Sequence, residues 1–281
     1  MCKRCGYQFI QRYRSPKWQE QLFRDYVFGK QTLNQLAEKH GRSIKTIQKY
    51  LDQRPIGQNN GTKPQPVIIG LDCCFFGRGY GIIVARCPGL KKNLYWKEIT
   101  TENKAIYLEA RRYLEQNGFK ILAVVIDAKY GIKEVFADRI IQICQYHQQQ
   151  IIQRYLTTQP KTRAGQELKI IADSLTSLDK GSFTGKLDEW HKQWRALLAE
   201  RTYSMDGEHW WYTHRRLRAA YRSLRTNLPC LFEYREHTDL QIPNTNNSLE
   251  GFFSRLKQLL NNHHGLKQWR RYKLIEAVLN R

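Results

Sequence analysis

A mixed α/β fold is predicted by three features of this 281-residue sequence. From residue 67 to about 100, three strand-length apolar runs follow one another across short turns, which is the pattern of consecutive hairpins. A helical stripe then leads into a continuous β-branched run at Lys120–Ile126, the signature of a strand buried on both faces. Beyond residue 158 the β pattern fades and helical spacing takes over.

The first three strands are Val67–Phe76, Gly79–Cys87 and Leu94–Thr100, joined by Gly77-Arg78 and by Pro88–Asn93. Asn103–Asn117 reads as a helix with its apolar stripe at Ala105, Ile106, Leu108, Ala110 and Leu114, ended by Gly118. After the Lys120–Ile126 strand come a short helix near Ile132–Asp138, a strand at Ile140–Tyr146 and a helix from His147. Three antiparallel strands, helix, central strand, helix, strand is the ribonuclease-H-like order. A catalytic domain of that class is therefore expected over 67–281, interrupted by a mostly helical insertion at about 158–243. The final helix starts near Asn246 or Asn247 and carries Leu249, Phe252, Phe253, Leu256, Leu259 and Leu260.

Upstream, residues 1–14 contain Cys2-Lys3-Arg4-Cys5-Gly6, the shape of a zinc knuckle. Two thiols are half of the four ligands a structural zinc needs, so this segment reads as a partial zinc ribbon. Whether it binds zinc is left open. Residues 15–54 are expected to form a helix-turn-helix: Leu33, Leu36 and Ala37 share one helical face, Gly41 makes the turn, and Ser43 caps a helix that turns Ile44, Ile47 and Leu51 inward. Its outward residues, Lys45, Thr46, Gln48 and Lys49, suit phosphates and base edges. Residues 55–66, rich in Pro, Gly and Asn, read as a linker.

Composition points to a polyanionic partner. Lys and Arg number 47 against 25 Asp and Glu, a net charge of +22, which opposes compaction unless a partner neutralises it. The basic residues run the length of a chain that is 12% aromatic, so a folded nucleic-acid-binding protein is expected rather than a disordered arm. The apolar runs at Val67–Leu71 and Ile121–Ile126 are too short to span a bilayer. No signal peptide is read at Met1, and Cys73, Cys74 and Cys144 sit in apolar runs. Both suit a reducing cytoplasm without membrane attachment.

Asp72 lies in the first strand and Asp127 ends the fourth. A carboxylate so placed is costly unless compensated, and with these two strands adjacent a shared cation can supply the compensation. Glu250 supplies the third acid; it is the only acidic residue in its helix before Glu276, and Arg255 and Lys257 follow where phosphates would lie. Trp210 and Trp211 stand beside the basic Arg215 and Arg216, a pairing that is either ordinary core or a stacking platform for an unpaired base.

The chain resembles the DDE transposases of bacterial insertion sequences, in the branch shared with Mutator-like elements. The resemblance rests on Gly70-Leu71-Asp72, Val125-Ile126-Asp127, Cys144-Gln145-Tyr146-His147 and Thr245-Asn246-Asn247-Ser248-Leu249-Glu250-Gly251-Phe252-Phe253-Ser254-Arg255-Leu256-Lys257, and covers roughly residues 67–281. It implies a homo-oligomer acting on DNA, with two Mg²⁺ or Mn²⁺ ions held by Asp72, Asp127 and Glu250. It implies cleavage at element ends to a 3′-OH, then attack of that hydroxyl on target DNA. A nuclease of the same fold without joining, or a truncated, catalytically silent DNA-binding relative, remains as an alternative. Cys144 and His147 are expected to be structural or strand-handling and not a zinc site, since only Cys73 or Cys74 offers a further nearby thiol.

Overall fold

The computed structural model describes residues 16–53, 61–263 and 265–280. The partial zinc ribbon with Cys2 and Cys5, and residues 55–60 of the expected linker, lie outside the described residues. The chain divides into two compact units, one of residues 61–252 and one of residues 1–60 together with 253–281.

The larger unit is built on a five-stranded mixed sheet. Its strands are β1 (Pro66–Gly77), β2 (Tyr80–Cys87), β3 (Lys92–Ile99), β4 (Lys120–Ile126) and β5 (Ile140–Ile143), in the order β3-β2-β1-β4-β5. The hairpin-linked β1, β2 and β3 are antiparallel. The β1–β4 and β4–β5 pairs are parallel, as crossovers through α4 (Lys104–Gln116) and α5 (Ile132–Val135) require. Asn103 caps α4 by accepting from the Ala105 and Ile106 amides.

Side chains alternate across the sheet, so β1 serves two layers. Val67, Ile69 and Leu71 join Tyr107, Ala110 and Leu114 of α4 in the main core. Ile68 faces the other way, with Ala123, Val125, Cys144 and Ile242 in a small second cluster. Gly70 and Asp72 share the parity of Ile68 and hence this second face.

The last strand is shorter than its apolar run suggests. β5 stops at Ile143, and α6 (Gln145–Leu156) starts at once, placing His147 in its first turn. Gln145 explains the switch: its amide donates to Asn244 O at 2.9 Å, and its side chain donates to Leu231 O at 2.9 Å. The helix expected near Ile132–Asp138 is likewise a single turn.

Beyond α6 lie α7 (Arg163–Asp173), α8 (Lys180–Ala199), α9 (Arg215–Asn227) and α10 (Glu233–Glu236), with their own core around Phe183, Leu187, Trp190, Leu224 and Phe232. The segment is not purely helical: β6 (Arg201–Tyr203) and β7 (Trp210–Tyr212) form a small hairpin. Three fully buried glutamines fasten this layer. Gln142 and Gln145 both donate to Leu231 O, and Gln148 bonds Ser223 and Asn227.

In the smaller unit, α1 (Pro16–Val27), α2 (Leu33–His40) and α3 (Ile44–Gln53) pack mutually, and α12 (Gln268–Leu279) packs on α1. Thr32 and Gln35 form a reciprocal capping box at the start of α2. Gly41 ends α2 at φ 56°, a left-handed conformation that costs glycine least. α11 (Asn247–Asn262) contains the division between the units. Among the described residues no helix is long and apolar enough to cross a membrane.

Candidate active site

Parallel pairing sets the register of the two aspartates. Gly70 on β1 is opposite Val125 on β4, so Asp72 and Asp127 each lie two residues beyond the same pair, Asp72 within β1 and Asp127 just past the end of β4. Asp72 is only 8% exposed, and one of its oxygens accepts the Cys73 amide at 2.7 Å. Burial first, then repulsion by Asp127, pushes its carboxyl well above the usual range.

The third acid arrives through Asn246. This residue is 3% exposed. Its side-chain amide donates to Val125 O at 3.3 Å and Leu71 O at 3.4 Å, bridging β4 and β1. Its backbone amide donates to Cys144 Sγ at 3.3 Å. Gly70 makes the approach possible: a Cβ there would lie 2.6 Å from Asn246 Oδ1. Asn246 O then accepts the Glu250 amide at 3.0 Å, which places Glu250 one turn further along α11.

Glu250 and Asp127 meet across His147. The imidazole Nδ1 is 2.5 Å from Asp127 Oδ1, and Nε2 is 3.7 Å from Glu250 Oε1. Burial works against the imidazolium, but Asp127 and then Cys144 outweigh it and push the His147 pKa to about 11. Glu250 is raised by burial, with His147 opposing and Asp127 adding. Asp127 Oδ1 and His147 Nδ1 are buried against each other, and Glu250 Oε1 is a buried atom without an aligned hydrogen-bond partner, which in a buried polar group calls for an explanation. Buried, mutually repelling carboxylate oxygens with unmet lone pairs fit a hard divalent cation.

The structure thus places Asp127, Cys144 and Glu250 about His147, with Asp72 beside Asp127 on the adjacent strand. Reading the sequence missed Asn246 as the residue that docks α11, although the Asn-rich lead and Gly70 were both visible. The expectation that His147 lies close to the acids agrees with its contacts to Asp127 and Glu250.

The remaining sites behave variously. On α3, Lys45 and Lys49 are exposed, whereas Thr46 is half-buried and bonded to the Ser43 hydroxyl. Gln48 is not outward; it is half-buried and lines an apolar cavity with Phe23, Tyr26 and Leu51. Ile44, expected inward, is 42% exposed because it opens the helix. Arg255 and Lys257 are exposed on α11.

Trp210 and Trp211 do not belong to the core. They are 47% and 37% exposed, against 2% for Trp190. Arginines cover them: Arg201 lies 4.0 Å from the Trp210 ring and Arg215 lies 5.7 Å from that of Trp211. Arg216 is exposed and donates to Arg154 O. Trp210→Ala or Trp211→Ala is expected to change stability by less than about 0.5 kcal/mol, as exposed substitutions do. Affinity for single-stranded or unpaired DNA is expected to fall by about 1–3 kcal/mol per lost stack. Melting curves and binding titrations check this; a large stability loss with unchanged affinity would assign the pair to packing.

No protein-family model and no curated protein matches the chain. Among solved structures, it is similar to the Drosophila P element transposase strand transfer complex at 9% identity. That alignment covers 99% of this chain and 94% of that one, with a TM-score of 0.43. It is also similar to the simian T-cell lymphotropic virus intasome in complex with PP2A regulatory subunit B56 gamma, at 11% identity. There 56% of this chain and 69% of that one are covered, with a TM-score of 0.24.

Proposed function

We propose that this protein is a DDE-type transposase that cuts DNA at element ends and joins the freed 3′-OH to target DNA. The observation that carries the reading is the gathering of Asp127 and Glu250 about His147, beside the buried Asp72 on the adjacent strand. The sheet order β3-β2-β1-β4-β5 with antiparallel β1–β3 supports a ribonuclease-H-like domain, and α2-Gly41-α3 supports a helix-turn-helix.

Asp72, Asp127 and Glu250 are the residues that would hold Mg²⁺ or Mn²⁺. When bound, such ions polarise the phosphodiester and stabilise the departing oxygen. Asp72 would contribute its carboxylate from the central strand, beside Asp127. Asn246 orients Glu250 toward them. His147 keeps a proton at Nδ1 against Asp127, which offsets part of the carboxylate repulsion and orients that side chain.

The basic excess supports a DNA partner, and α3 offers Lys45 and Lys49 to phosphates. Lys45→Ala and Lys49→Ala are each expected to weaken all DNA sequences alike. Each should lower the slope of log K against log salt by about 0.9 for one lost phosphate contact. Titrations at several salt concentrations check this; sequence-dependent weakening with an unchanged slope would place these lysines elsewhere.

The proposal is tested with the full chain, Mg²⁺, a plasmid carrying its gene with flanking DNA, and a second target plasmid. Cleavage at the flanks with joined products is expected. Cleavage without joining would make it a nuclease, and binding without cleavage a silent relative.

A further inference from the structure

We infer that Cys144, His147 and Glu250 form a site for a thiophilic divalent ion such as Zn²⁺, sharing Glu250 with the proposed cleavage site. Cys144 Sγ, a ring nitrogen of His147 and a carboxylate oxygen of Glu250 all lie within 4.8 Å of one another. Donor atoms around a tetrahedral zinc stand about 3.3–3.6 Å apart, given bonds of about 2.0–2.3 Å. The Nε2–Oε1 separation of 3.7 Å is already close to that range, and the sulfur closes the gap by a movement of about 1 Å.

The surroundings match those of a metal-bound histidine. Such a histidine holds its other ring nitrogen against a carboxylate, which fixes its orientation; here His147 Nδ1 lies 2.5 Å from Asp127. The sulfur is the buried end of the site and already accepts the Asn246 amide at 3.3 Å. Glu250 Oε1 has no hydrogen-bond partner. Three protein donors of this kind leave a fourth position open, as in zinc sites that keep a water. The Cys-x-x-His spacing supplies two of them because α6 starts at Gln145, so Cys144 flanks its first turn and His147 lies within it. The third comes from α11, 103 residues further along (250 − 147), a distance that hid it from the sequence. The site uses Glu250 in a different partnership from the proposed cleavage chemistry and does not depend on that chemistry.

The experiment uses the full chain with Cys2→Ser and Cys5→Ser, which removes the N-terminal thiols as competitors. Co²⁺ is the probe, because sulfur ligation gives it a near-ultraviolet charge-transfer band. One equivalent is expected to produce the band. Adding Cys144→Ser is expected to abolish it. Adding Glu250→Gln, which keeps the thiol, is expected to weaken Co²⁺ binding read from the same band by at least about tenfold, the scale of losses around metal sites. Absence of the band in the parent protein would overturn the inference. So would its persistence in Cys144→Ser, or an unchanged affinity in Glu250→Gln. Should Cys144→Ser fail to fold, as a substitution of a fully buried residue can, the Glu250→Gln titration decides alone.

Discussion

Alanine in place of Asp72, Asp127 or Glu250, one at a time, is expected to reduce Mg²⁺-dependent cleavage and joining together by at least about a thousandfold. That corresponds to about 4 kcal/mol of lost transition-state stabilisation, in line with the several kcal/mol attributed to such ions. Both reactions are expected to fall together because one set of carboxylates serves both. DNA affinity should stay within about twofold, since binding is carried by phosphate contacts from basic side chains. Asp72→Ala carries a further signature. Its carboxyl is raised in the metal-free fold by burial and by Asp127, so ionising it opposes folding. An acid whose folded pKa exceeds its unfolded value makes stability fall as pH rises through the interval between them. For Asp72 that interval starts at the ordinary value of 3.8 and extends upward to the raised value. Asp72→Ala should remove this contribution, leaving the metal-free variant as stable as the native chain or more so at neutral pH while inactive. Thermal melts with excess chelator, beside cleavage assays, check both parts. Separate losses of cleavage and joining among the three variants would break the single-site account.

Asn246 is expected to show the next largest effects. Asn246→Ala removes donors to Leu71 O and Val125 O and should cost about 2–3 kcal/mol, near the sum for buried hydrogen bonds. Asn246→Asp nearly preserves the shape but sets a carboxylate oxygen against two carbonyls, so a larger loss is expected. Gly70→Ala attacks the same contact from the other side, because its Cβ meets an Oδ1 that Asn246 cannot swing away without giving up those bonds. All three should lower kcat by tenfold or more, with DNA affinity unchanged, because Glu250 is displaced. Denaturant titrations and single-turnover cleavage check these effects. If Asn246→Ala unfolds and cuts like the native chain, Asn246 does not dock α11.

How much of this was visible in the sequence follows from where each constraint resides. β1 and β4 were legible because local apolar runs specify strands, and the aspartates were legible because acids in such runs are anomalous. The short β5 was not, since Ile140–Tyr146 looks uniformly strand-like and what ends it is Gln145 bonding Asn244 and Leu231, residues far along the chain. The hairpin at Trp210–Tyr212 escaped for a related reason: three-residue strands leave no periodicity. Glu250 was found from its isolation in a basic helix. Its nearness to His147 is a tertiary fact, created by the Asn246 bridge and by the space above Gly70. Gln48 misled because helical phase gives a direction but not the neighbouring helix, and here α1 supplies the cavity wall through Phe23 and Tyr26.

If Asp72 holds the cation used for DNA cleavage, a thiolate in its place should switch the metal that supports cutting. The measurement is cleavage of the plasmid bearing the gene and its flanks by Asp72→Cys protein, first in Mg²⁺ and then in Mn²⁺. Sulfur binds Mg²⁺ poorly and softer ions better. No cleavage is expected in Mg²⁺ and a clear return of cleavage in Mn²⁺, at the same DNA positions as the native chain. Native-level cleavage by Asp72→Cys in Mg²⁺ would contradict that role for Asp72.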